Sequence, residues 1–367
     1  MQRLSLPVPA PATVLAAGAF LKNRACLLQG GEVLWSAPHG DLSDPAACVA
    51  LHDALAALVT AARRPIDAIA HDLHPDFPST RSALQWAQRL RVPARAVQHH
   101  HAHLGVVMAE QGWSQAPVGG WLLDGVGLGQ DGTAWGGELL AGTPQGFERL
   151  AHLAPLALPG GDAAAREPWR VAAAVLHRLG RGDQIAPRFG PQVGLSKAQG
   201  VALLLQRGLH CPPSSSAGRW FDVAAAALGL APTQQAEAEA AIALEQAATT
   251  WLAEQGRSGL PTAVASPTLD LHALVGSLFD ERSPGHGAAR FHAALGAALV
   301  DAARRQGLKR LVLAGGCFHN RLLSRLVEQG CREHGIATWR PQTVDCGDAG
   351  LALGQAWLVA HHVAHDL

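Results

Sequence analysis

Four histidines within five positions form the densest group of chemically active side chains in the sequence. They lie in residues 98–103 (QHHHAH), at a predicted junction between a strand and a helix. In a helix, His99 and His103 are four positions apart and share one face, so their imidazoles can bind one metal ion. His100 and His103 are the competing pair, at three-position spacing. A polar cap without function is the alternative interpretation, but so many imidazoles in an otherwise apolar helix favour metal binding.

A glycine-rich segment, residues 124–133 (DGVGLGQDGT), directly follows a predicted apolar strand. Glycines let backbone N–H groups approach a phosphate closely, and Asp124 at the strand end can reach a metal ion. The segment does not end in Gly-Lys-Ser/Thr, and a strand follows it, so it is neither a Walker A loop nor a Rossmann turn. A plain hairpin is the alternative interpretation.

Two later segments place glycines or a carboxylate at the start of a predicted helix. Residues 313–320 (LAGGCFHN) form a strand, a glycine pair and a helix start, which can offer free N–H groups to an anion or nucleotide. A tight turn with Asn320 as the N-cap is the equal alternative. In residues 346–350 (CGDAG), Asp348 is either a helix cap or a metal ligand. Taken alone, it is better explained as a cap.

Nucleophilic side chains give a weaker signal. The serines at 214–216 are not surrounded by a Gly-x-Ser-x-Gly elbow, so a polar loop is the better interpretation. The six cysteines include no CxxC pair, which argues against a zinc ribbon or a disulfide scaffold. Cys317, Cys331 and Cys346 are more typical of buried apolar residues than of nucleophiles.

The length and composition indicate how many lobes position these residues and which kinds of binding partner are not favoured. The chain has 367 residues, above the roughly 250–300 at which a single core stops growing, so two lobes are expected. Hydrophobic residues make up 48%, and Lys plus Arg balance Asp plus Glu at 29 each, so no global basic field favours nucleic-acid or membrane binding. Apolar runs are too short for a membrane span.

Short strand patterns dominate the chain as far as residue 158, and helical patterns dominate beyond it. The sequence therefore predicts two α/β lobes with a cleft between them. Residues 1–13 are Pro-rich and predicted to be disordered, not a signal peptide, which indicates a cytoplasmic protein. Residues 14–158 are assigned to the first lobe, 159–346 to the helix-rich second lobe, and 347–367 to a helix returning to the first lobe. Residues 261–284 give no clear pattern.

Six motifs, in order along the chain, resemble those of the HypF carbamoyltransferases of [NiFe]-hydrogenase maturation. They are residues 72–75 (DLHP), 97–103 (VQHHHAH), 124–138 (DGVGLGQDGTAWGGE), 159–170 (PGGDAAAREPWR), 215–222 (SSAGRWFD) and 315–322 (GGCFHNRL). The resemblance covers about residues 14–357 and is to the family's C-terminal part. It implies an α/β, two-lobed actin-like ATPase fold of the sugar kinase/Hsp70 type, with nucleotide and metal between the lobes.

The resemblance also implies the site residues. The implied metal ligands are His99, His103, Asp124 and Asp348, which suit iron or zinc equally. ATP, AMP or carbamoyl-adenylate is the implied ligand. The implied nucleotide contacts are Gly127, Gly129, Asp131, Gly132, Thr133, Gly218, Asp222, Gly315, Gly316 and Asn320. Arg166 and Arg170 are candidate anion contacts near the cleft.

The implied reaction is carbamoyl transfer from carbamoyl-adenylate to the C-terminal cysteine of the partner HypE, giving the precursor of the hydrogenase cyanide ligands. No catalytic Ser or Cys is required, because the attacking thiolate belongs to the partner. A small-molecule O-carbamoyltransferase and a non-catalytic nucleotide-binding regulatory paralogue are the alternatives. Retention of all four metal positions argues against the paralogue.

The chain departs from the family pattern in two ways. The acylphosphatase, zinc-finger and YrdC-type domains of full-length HypF are not found in it, so a separate YrdC-type domain or full-length HypF is expected to supply carbamoyl-adenylate. Family members usually carry Asn-Asp-Gly-Gly where this chain has residues 347–350 (GDAG), and Gln where it has His319. These changes place the nearby nucleotide contacts in question, while Asp348 is retained.

Overall fold

The computed structural model describes residues 1–255 and 268–366, so the early part of the 261–284 segment lies outside the described residues.

The first lobe is built on a six-stranded sheet, in which the strands, numbered along the chain, lie side by side in the order 1-4-3-2-5-6. The strands of this lobe are β1 (Gln2–Ser5), β2 (Val14–Ala16), β3 (Cys26–Gln29), β4 (Glu32–Trp35), β5 (Ala68–Asp72) and β6 (Ala94–Val97). Its helices are α1 (Pro45–Thr60), α2 (Pro78–Leu90) and α3 (His99–Gln111).

The second lobe is built on a seven-stranded sheet with a block of helices inserted before its last two strands. Its strands are β7 (Val118–Leu128), β8 (Ala134–Thr143), β9 (Gly146–His152), β10 (Leu156–Ala157), β11 (Pro213–Ser214), β12 (Arg310–Ala314) and β13 (Ala337–Trp339). Its helices are α4 (Ala163–Arg166), α5 (Pro168–Arg178), α6 (Ile185–Val193), α7 (Leu195–Arg207), α8 (Ala217–Ala227), α9 (Glu239–Gln255), α10 (His272–Leu278), α11 (Pro284–Arg305) and α12 (Arg321–Glu333). The last helix, α13 (Leu351–Asp366), packs on α3 and on strands β2, β3 and β5 of the first lobe.

The two sheets share one core topology. In the first, β2, β3 and β4 form an antiparallel meander, and β5 and β6 add parallel strands on the other side of β2. In the second, β7, β8 and β9 form the meander, and β12 and β13 add the parallel strands beside β7. The two lobes therefore have the same basic design, although the sequence shows no repeat of fixed period.

Helices α3 and α13 lie between the two sheets. One buried cluster joins apolar residues of both helices to residues of both sheets, among them Val14 and Ala70 on one side and Leu122 and Val312 on the other. Because both faces of these helices are covered, α3 is buried all round from His99 to Ala109 and carries only apolar residues and histidines over that range. The predicted helix that begins with the histidines is confirmed, and it ends at Gly112 in the left-handed conformation that glycine favours.

Two boundary predictions differ from the structure. Residues 1–13 were predicted to be disordered, but β1 pairs with β4 along the sheet edge, and Leu6 and Ala10 donate backbone hydrogen bonds to the turn at 30–31. The first lobe was predicted to extend to residue 158, but β7 pairs with β12, so the second sheet begins at Val118. Both differences arise from pairing between distant strands, which local patterns do not report.

Among residues 1–255 and 268–366, none of the helices has the length and apolar composition needed to cross a bilayer.

Candidate metal centre and interlobe cleft

Four side chains from three elements converge between the lobes. His99 and His103 lie on the first two turns of α3, Asp124 lies within β7, and Asp348 begins a short 3-10 turn before α13. Their ligand atoms all lie within 4.8 Å of one another. His103 Nε2 is 2.8 Å from Asp124 Oδ2, and His99 Nε2 is 3.4 Å from Asp348 Oδ1. The structure therefore brings together the four predicted metal ligands.

The polar atoms at the centre of this cluster have unmet bonding capacity. His99 Nε2, His103 Nε2 and Asp124 Oδ2 are buried, and none of them makes a hydrogen bond of acceptable geometry. Buried polar atoms without partners are rare in native proteins. Two imidazoles and two carboxylates directed at one point form a donor set that fits a divalent cation such as iron or zinc.

The electrostatics of the cluster also fit a cation. Burial lowers the pKa of His99, but the carboxylates of Asp348, Asp124 and Asp72 more than offset burial and hold that pKa well above its ordinary value. Burial raises the pKa of Asp124, but the neighbouring imidazoles of His103 and His99 hold that pKa well below its ordinary value. The carboxylates therefore stay ionised and attract positive charge to this point.

Asp72, at the end of β5, orients one of the imidazoles. His99 Nδ1 lies 2.9 Å from Asp72 Oδ2, and Asp72 Oδ1 accepts a hydrogen bond from His74 N at 2.9 Å. A carboxylate behind a metal-binding histidine fixes the ring and raises its basicity. Sequence reasoning did not identify this role, although Asp72 ends a strand and begins one of the family motifs.

The remaining histidines of α3 have partners elsewhere. Gln98 Nε2 donates to His100 Nδ1 at 3.0 Å, while Gln98 Oε1 caps the helix by accepting from His101 N. His101 Nε2 lies 2.8 Å from the carbonyl oxygen of Thr143. The structure thus selects His99 and His103 over the competing pair His100 and His103.

Asp348 does not cap a helix. It is the first residue of the 3-10 turn that precedes α13, and its Oδ1 lies 3.4 Å from His99 Nε2 and 3.7 Å from His103 Nε2. Taken alone, the sequence favoured the cap, and that interpretation was wrong because the carboxylate points to α3 instead of to its own helix.

Within the second lobe, a serine joins the strand that carries Asp124 to helix α8. Ser216 Oγ lies 2.6 Å from the carbonyl oxygen of Gly125, and it accepts a hydrogen bond from Arg219 N as the N-cap of α8. The loop interpretation of residues 214–216 therefore omitted a structural role. Ser216 ties the chain beside Asp124 to the start of α8.

A cavity of about 300 Å³ opens beside the cluster, between the lobes. It is lined by Lys22 of the first lobe and by second-lobe residues from β7, α8, α9 and the turn after β12. Asp124 belongs to its wall, so the candidate metal centre and the cavity share a residue. The predicted nucleotide contacts that line it are Gly218, Asp222, Gly316 and Asn320.

Two of these wall residues have clear local roles. Asp222 Oδ2 lies 2.8 Å from Arg219 Nε, and burial raises the pKa of Asp222 to about 6 despite that neighbour. Asn320 caps α12 by accepting from Leu323 N at 2.8 Å, and its Nδ2 donates to His292 Nε2. The side chain of Asn320 is thus occupied within the protein, as in the N-cap alternative.

The other predicted contacts lie outside the cavity wall. Gly315, at φ 97°, packs against Leu123, where a β-carbon would lie 2.4 Å from the carbonyl oxygen. Gly127 packs against the side chains of His99 and His100, and Gly129 packs against the indole of Trp135.

The hairpin turn between β7 and β8 is closed by its own side chains. Asp131 Oδ1 accepts hydrogen bonds from Thr133 N and Thr133 Oγ1, while Gly132 adopts φ 76° in the turn.

The two candidate anion contacts, Arg166 and Arg170, do not belong to the cavity wall. Arg170 forms an ion pair with Glu167.

Two family descriptions match consecutive parts of the chain. "HypF Kae1-like domain" matches residues 9–110, and "Carbamoyltransferase, Kae1-like Domain, second subdomain" matches residues 120–355. The break between the two matches falls where the first lobe ends and β7 begins.

The chain matches curated relatives of two different lengths. "Carbamoyltransferase HypF homolog" of Cupriavidus necator is 54% identical over 362 residues, covering 95% of this chain and 92% of the relative. "Carbamoyltransferase HypF" of Rhodobacter capsulatus is 38% identical over 97% of this chain, but the match covers 48% of that relative. The chain thus spans most of one curated relative and about half the length of the longer ones.

Solved structures agree with the sequence matches. The structure of T. kodakarensis HypF matches 99% of this chain with a TM-score of 0.88 and 30% identity, over 49% of that protein. A full-length HypF in a phosphate- and nucleotide-bound form matches 98% of this chain with a TM-score of 0.82 and 28% identity, over 47% of that protein. The predicted two-lobed, actin-like α/β fold is thereby confirmed. With both lobes matched and the four candidate metal ligands brought together between them, the chain belongs to the HypF carbamoyltransferase family.

Proposed function

We propose that this chain transfers a carbamoyl group from carbamoyl-adenylate to the C-terminal cysteine of HypE during hydrogenase maturation in the cytoplasm. The observation that carries the proposal is Asp124, which belongs both to the candidate metal cluster and to the wall of the interlobe cavity. A donor bound in that cavity has its reacting end beside the cluster.

The metal site would be held by His99, His103, Asp124 and Asp348. A bound divalent ion, iron or zinc, would supply Lewis acidity that stabilises charge on a carbonyl or phosphate oxygen. Asp72 keeps the His99 ring in place through its bond to Nδ1, so the site is organised before any ligand arrives.

The adenylate would lie in the cavity against α8. Gly218, at the start of this helix, has no side chain, and a β-carbon there would lie 3.0 Å from Gly125 Cα. The backbones of β7 and α8 therefore come close together here, and both glycines belong to the cavity wall. Asp222 lies in the same wall and can accept from ribose hydroxyls.

Among the described residues of the cavity wall there is one thiol, and it is not activated as a nucleophile. Cys317 lines the cavity, but burial and the nearby Asp124 raise its pKa well above the ordinary value, so the thiol stays protonated. This supports an acceptor thiolate supplied by the partner. The chain's contribution would then be positioning and charge stabilisation.

Direct supply of the donor tests this proposal. The metal-loaded chain, carbamoyl-adenylate and HypE are mixed, and the C-terminal peptide of HypE is examined by mass spectrometry. We expect the mass of one carbamoyl group on the terminal cysteine, and its loss with Asp348→Ala. Asp53→Ala, on the exposed face of α1, is the matched control. Carbamoylation that proceeds equally with Asp348→Ala would refute the proposal.

A further inference from the structure

Three cationic side chains line the interlobe cavity, and two of them have their counter-ions inside it. Lys22 Nζ lies 3.0 Å from Glu237 Oε2, and Arg219 Nε lies 2.8 Å from Asp222 Oδ2. Glu237 and Asp222 both belong to the cavity wall. The positive charges of Lys22 and Arg219 are therefore neutralised by carboxylates that line the same cavity.

The third cation, His319, is arranged differently. Its Nε2 lies 3.3 Å from Asp345 Oδ1, and Asp345 is not part of the cavity wall. Asp345 Oδ1 also accepts a hydrogen bond from Gly347 N at 2.7 Å, which holds the carboxylate in place. The His319 side chain is 53% exposed. The imidazole thus lines the cavity with its own counter-ion behind it.

The environment of His319 keeps it charged. The hydrogen bond to Asp345 raises its pKa to about 10, with a further contribution from Cys346, and partial burial opposes both. An imidazolium has two N–H donors. The other ring nitrogen, Nδ1, lies 3.7 Å from the Cys346 sulfur, a weak partner that an anionic oxygen can replace.

The backbone around His319 fits this pairing. A β-carbon at Gly347 would lie 3.1 Å from Asp345 Oδ1 and 3.5 Å from His319 Nε2. Any longer side chain at position 347 would therefore compete for the space that the His319–Asp345 pair uses. Two of the three positions that depart from the family pattern, 319 and 347, are therefore neighbours in space.

The turn that carries His319 also reaches the candidate metal cluster. It spans Gly316–His319, and a β-carbon at Gly316 would lie 3.1 Å from Asp124 Oδ1. An anion that contacts the imidazolium would therefore lie at the end of the cavity nearest the cluster.

We propose that His319, held by Asp345, binds the phosphate group of the nucleotide in the interlobe cavity. The inference rests on the proposed function, because it requires a nucleotide there. His319 is a phosphate-binding residue, and Asp345 is a positioning residue that acts through it.

Calorimetry with two probes, AMP and adenosine, separates a phosphate contact from a general effect on the cleft. We expect His319→Ala to weaken AMP binding about tenfold and to leave adenosine binding unchanged, since only AMP offers a phosphate. His319→Gln, which keeps a polar side chain without the charge, should weaken AMP binding less. Asp345→Asn should weaken AMP binding in the same direction while adenosine binding stays the same.

His334→Gln is the matched control, an exposed histidine after α12 and outside the cavity wall. Circular dichroism establishes that each variant is folded, and His319→Gln carries the test if the alanine variant does not fold. Equal weakening of AMP and adenosine, or no change in AMP affinity, would overturn the role of His319 while leaving the proposed function intact. A wild-type chain that binds neither probe would overturn the proposed function and the inference with it.

Discussion

His99 Nδ1 lies 2.9 Å from Asp72 Oδ2, and both side chains are buried. The contact joins the end of β5 in the first sheet to the helix that carries both imidazoles. Because it occupies Nδ1, it leaves Nε2 of the same ring directed at Asp124 and Asp348. The orientation of a candidate metal ligand thus depends on Asp72, which is not itself one of the four candidate ligands.

Asp72→Asn should weaken metal binding about 10- to 100-fold, because an amide neither fixes the imidazole as firmly nor raises its basicity as a carboxylate does. Competition with a chromophoric chelator measures the affinity. Asp76→Asn, a few residues further along on the surface, should leave the affinity unchanged. Equal affinities for wild type and Asp72→Asn would show that the carboxylate has no such role.

Replacing His99 and His103 together by alanine should remove bound metal. The two rings supply half of the donor set, and the remaining carboxylates leave too few ligands for a stable site. Elemental analysis of purified protein gives the metal content per chain. His101→Gln, on the same helix but bonded to Thr143, should retain metal. Full metal content in the double variant would contradict the assignment.

Gly354 sets the distance between α3 and α13. A β-carbon there would lie 1.8 Å from the carbonyl oxygen of Ala102, a backbone atom that cannot move aside cheaply. Gly354→Ala should therefore destabilise the protein by about 1–3 kcal/mol or more. Gly200→Ala, at an exposed position in α7 with open space around it, should be neutral or stabilising by up to about 1 kcal/mol. Denaturant unfolding of both variants makes the comparison, and equal stabilities would argue against this helix contact.

The stability that His319 contributes should depend on pH. Its folded pKa of about 10 lies above the ordinary value of 6.5, so the contribution is fully present below pH 6.5 and is lost as the pH rises through 10. Asp345 and Cys346 are the groups that raise the pKa of His319. Lys22 is a second positively charged residue in the wall of the same cavity. The Tm of wild type should exceed that of His319→Gln at low pH by a gap that closes across this window. The gap should be small, since an exposed pair contributes about 1 kcal/mol or less.

A Tm gap that stays constant from pH 6.5 to 10 would argue against the charged pair. His334→Gln provides the control, because it changes an exposed histidine outside the cavity and should give no such trend.

The convergence of the four candidate metal ligands was largely predictable from sequence. The spacing of His99 and His103 depends only on helix geometry, so it indicated the pair without any tertiary information. The role of Asp348 required the family resemblance, because the local sequence is equally compatible with a helix cap. Asp72 was not identified, since its contact with His99 joins residues 27 positions apart.

Six of the ten predicted nucleotide contacts lie outside the cavity wall, for a physical reason. Glycine-rich segments occur wherever the backbone closely approaches another group. The sequence alone does not show whether that group is a side chain, another backbone segment or a ligand. Gly127 and Gly129 approach the side chains of His100 and Trp135, whereas Gly218 approaches the chain beside Asp124 at the cavity. The lobe boundary was placed too late because β7 finds its parallel neighbour β12 nearly two hundred residues further along.

The division of labour between this chain and a separate YrdC-type domain provides the most direct test of the account. HypE is incubated with this chain, carbamoyl phosphate and ATP, with or without an added YrdC-type domain, and its C-terminal peptide is weighed by mass spectrometry. The account predicts a carbamoylated cysteine only when the added domain is present. The proposed site would transfer the carbamoyl group of carbamoyl-adenylate to the thiolate, whereas the added domain would synthesise the carbamoyl-adenylate. Efficient carbamoylation by this chain alone would contradict the account.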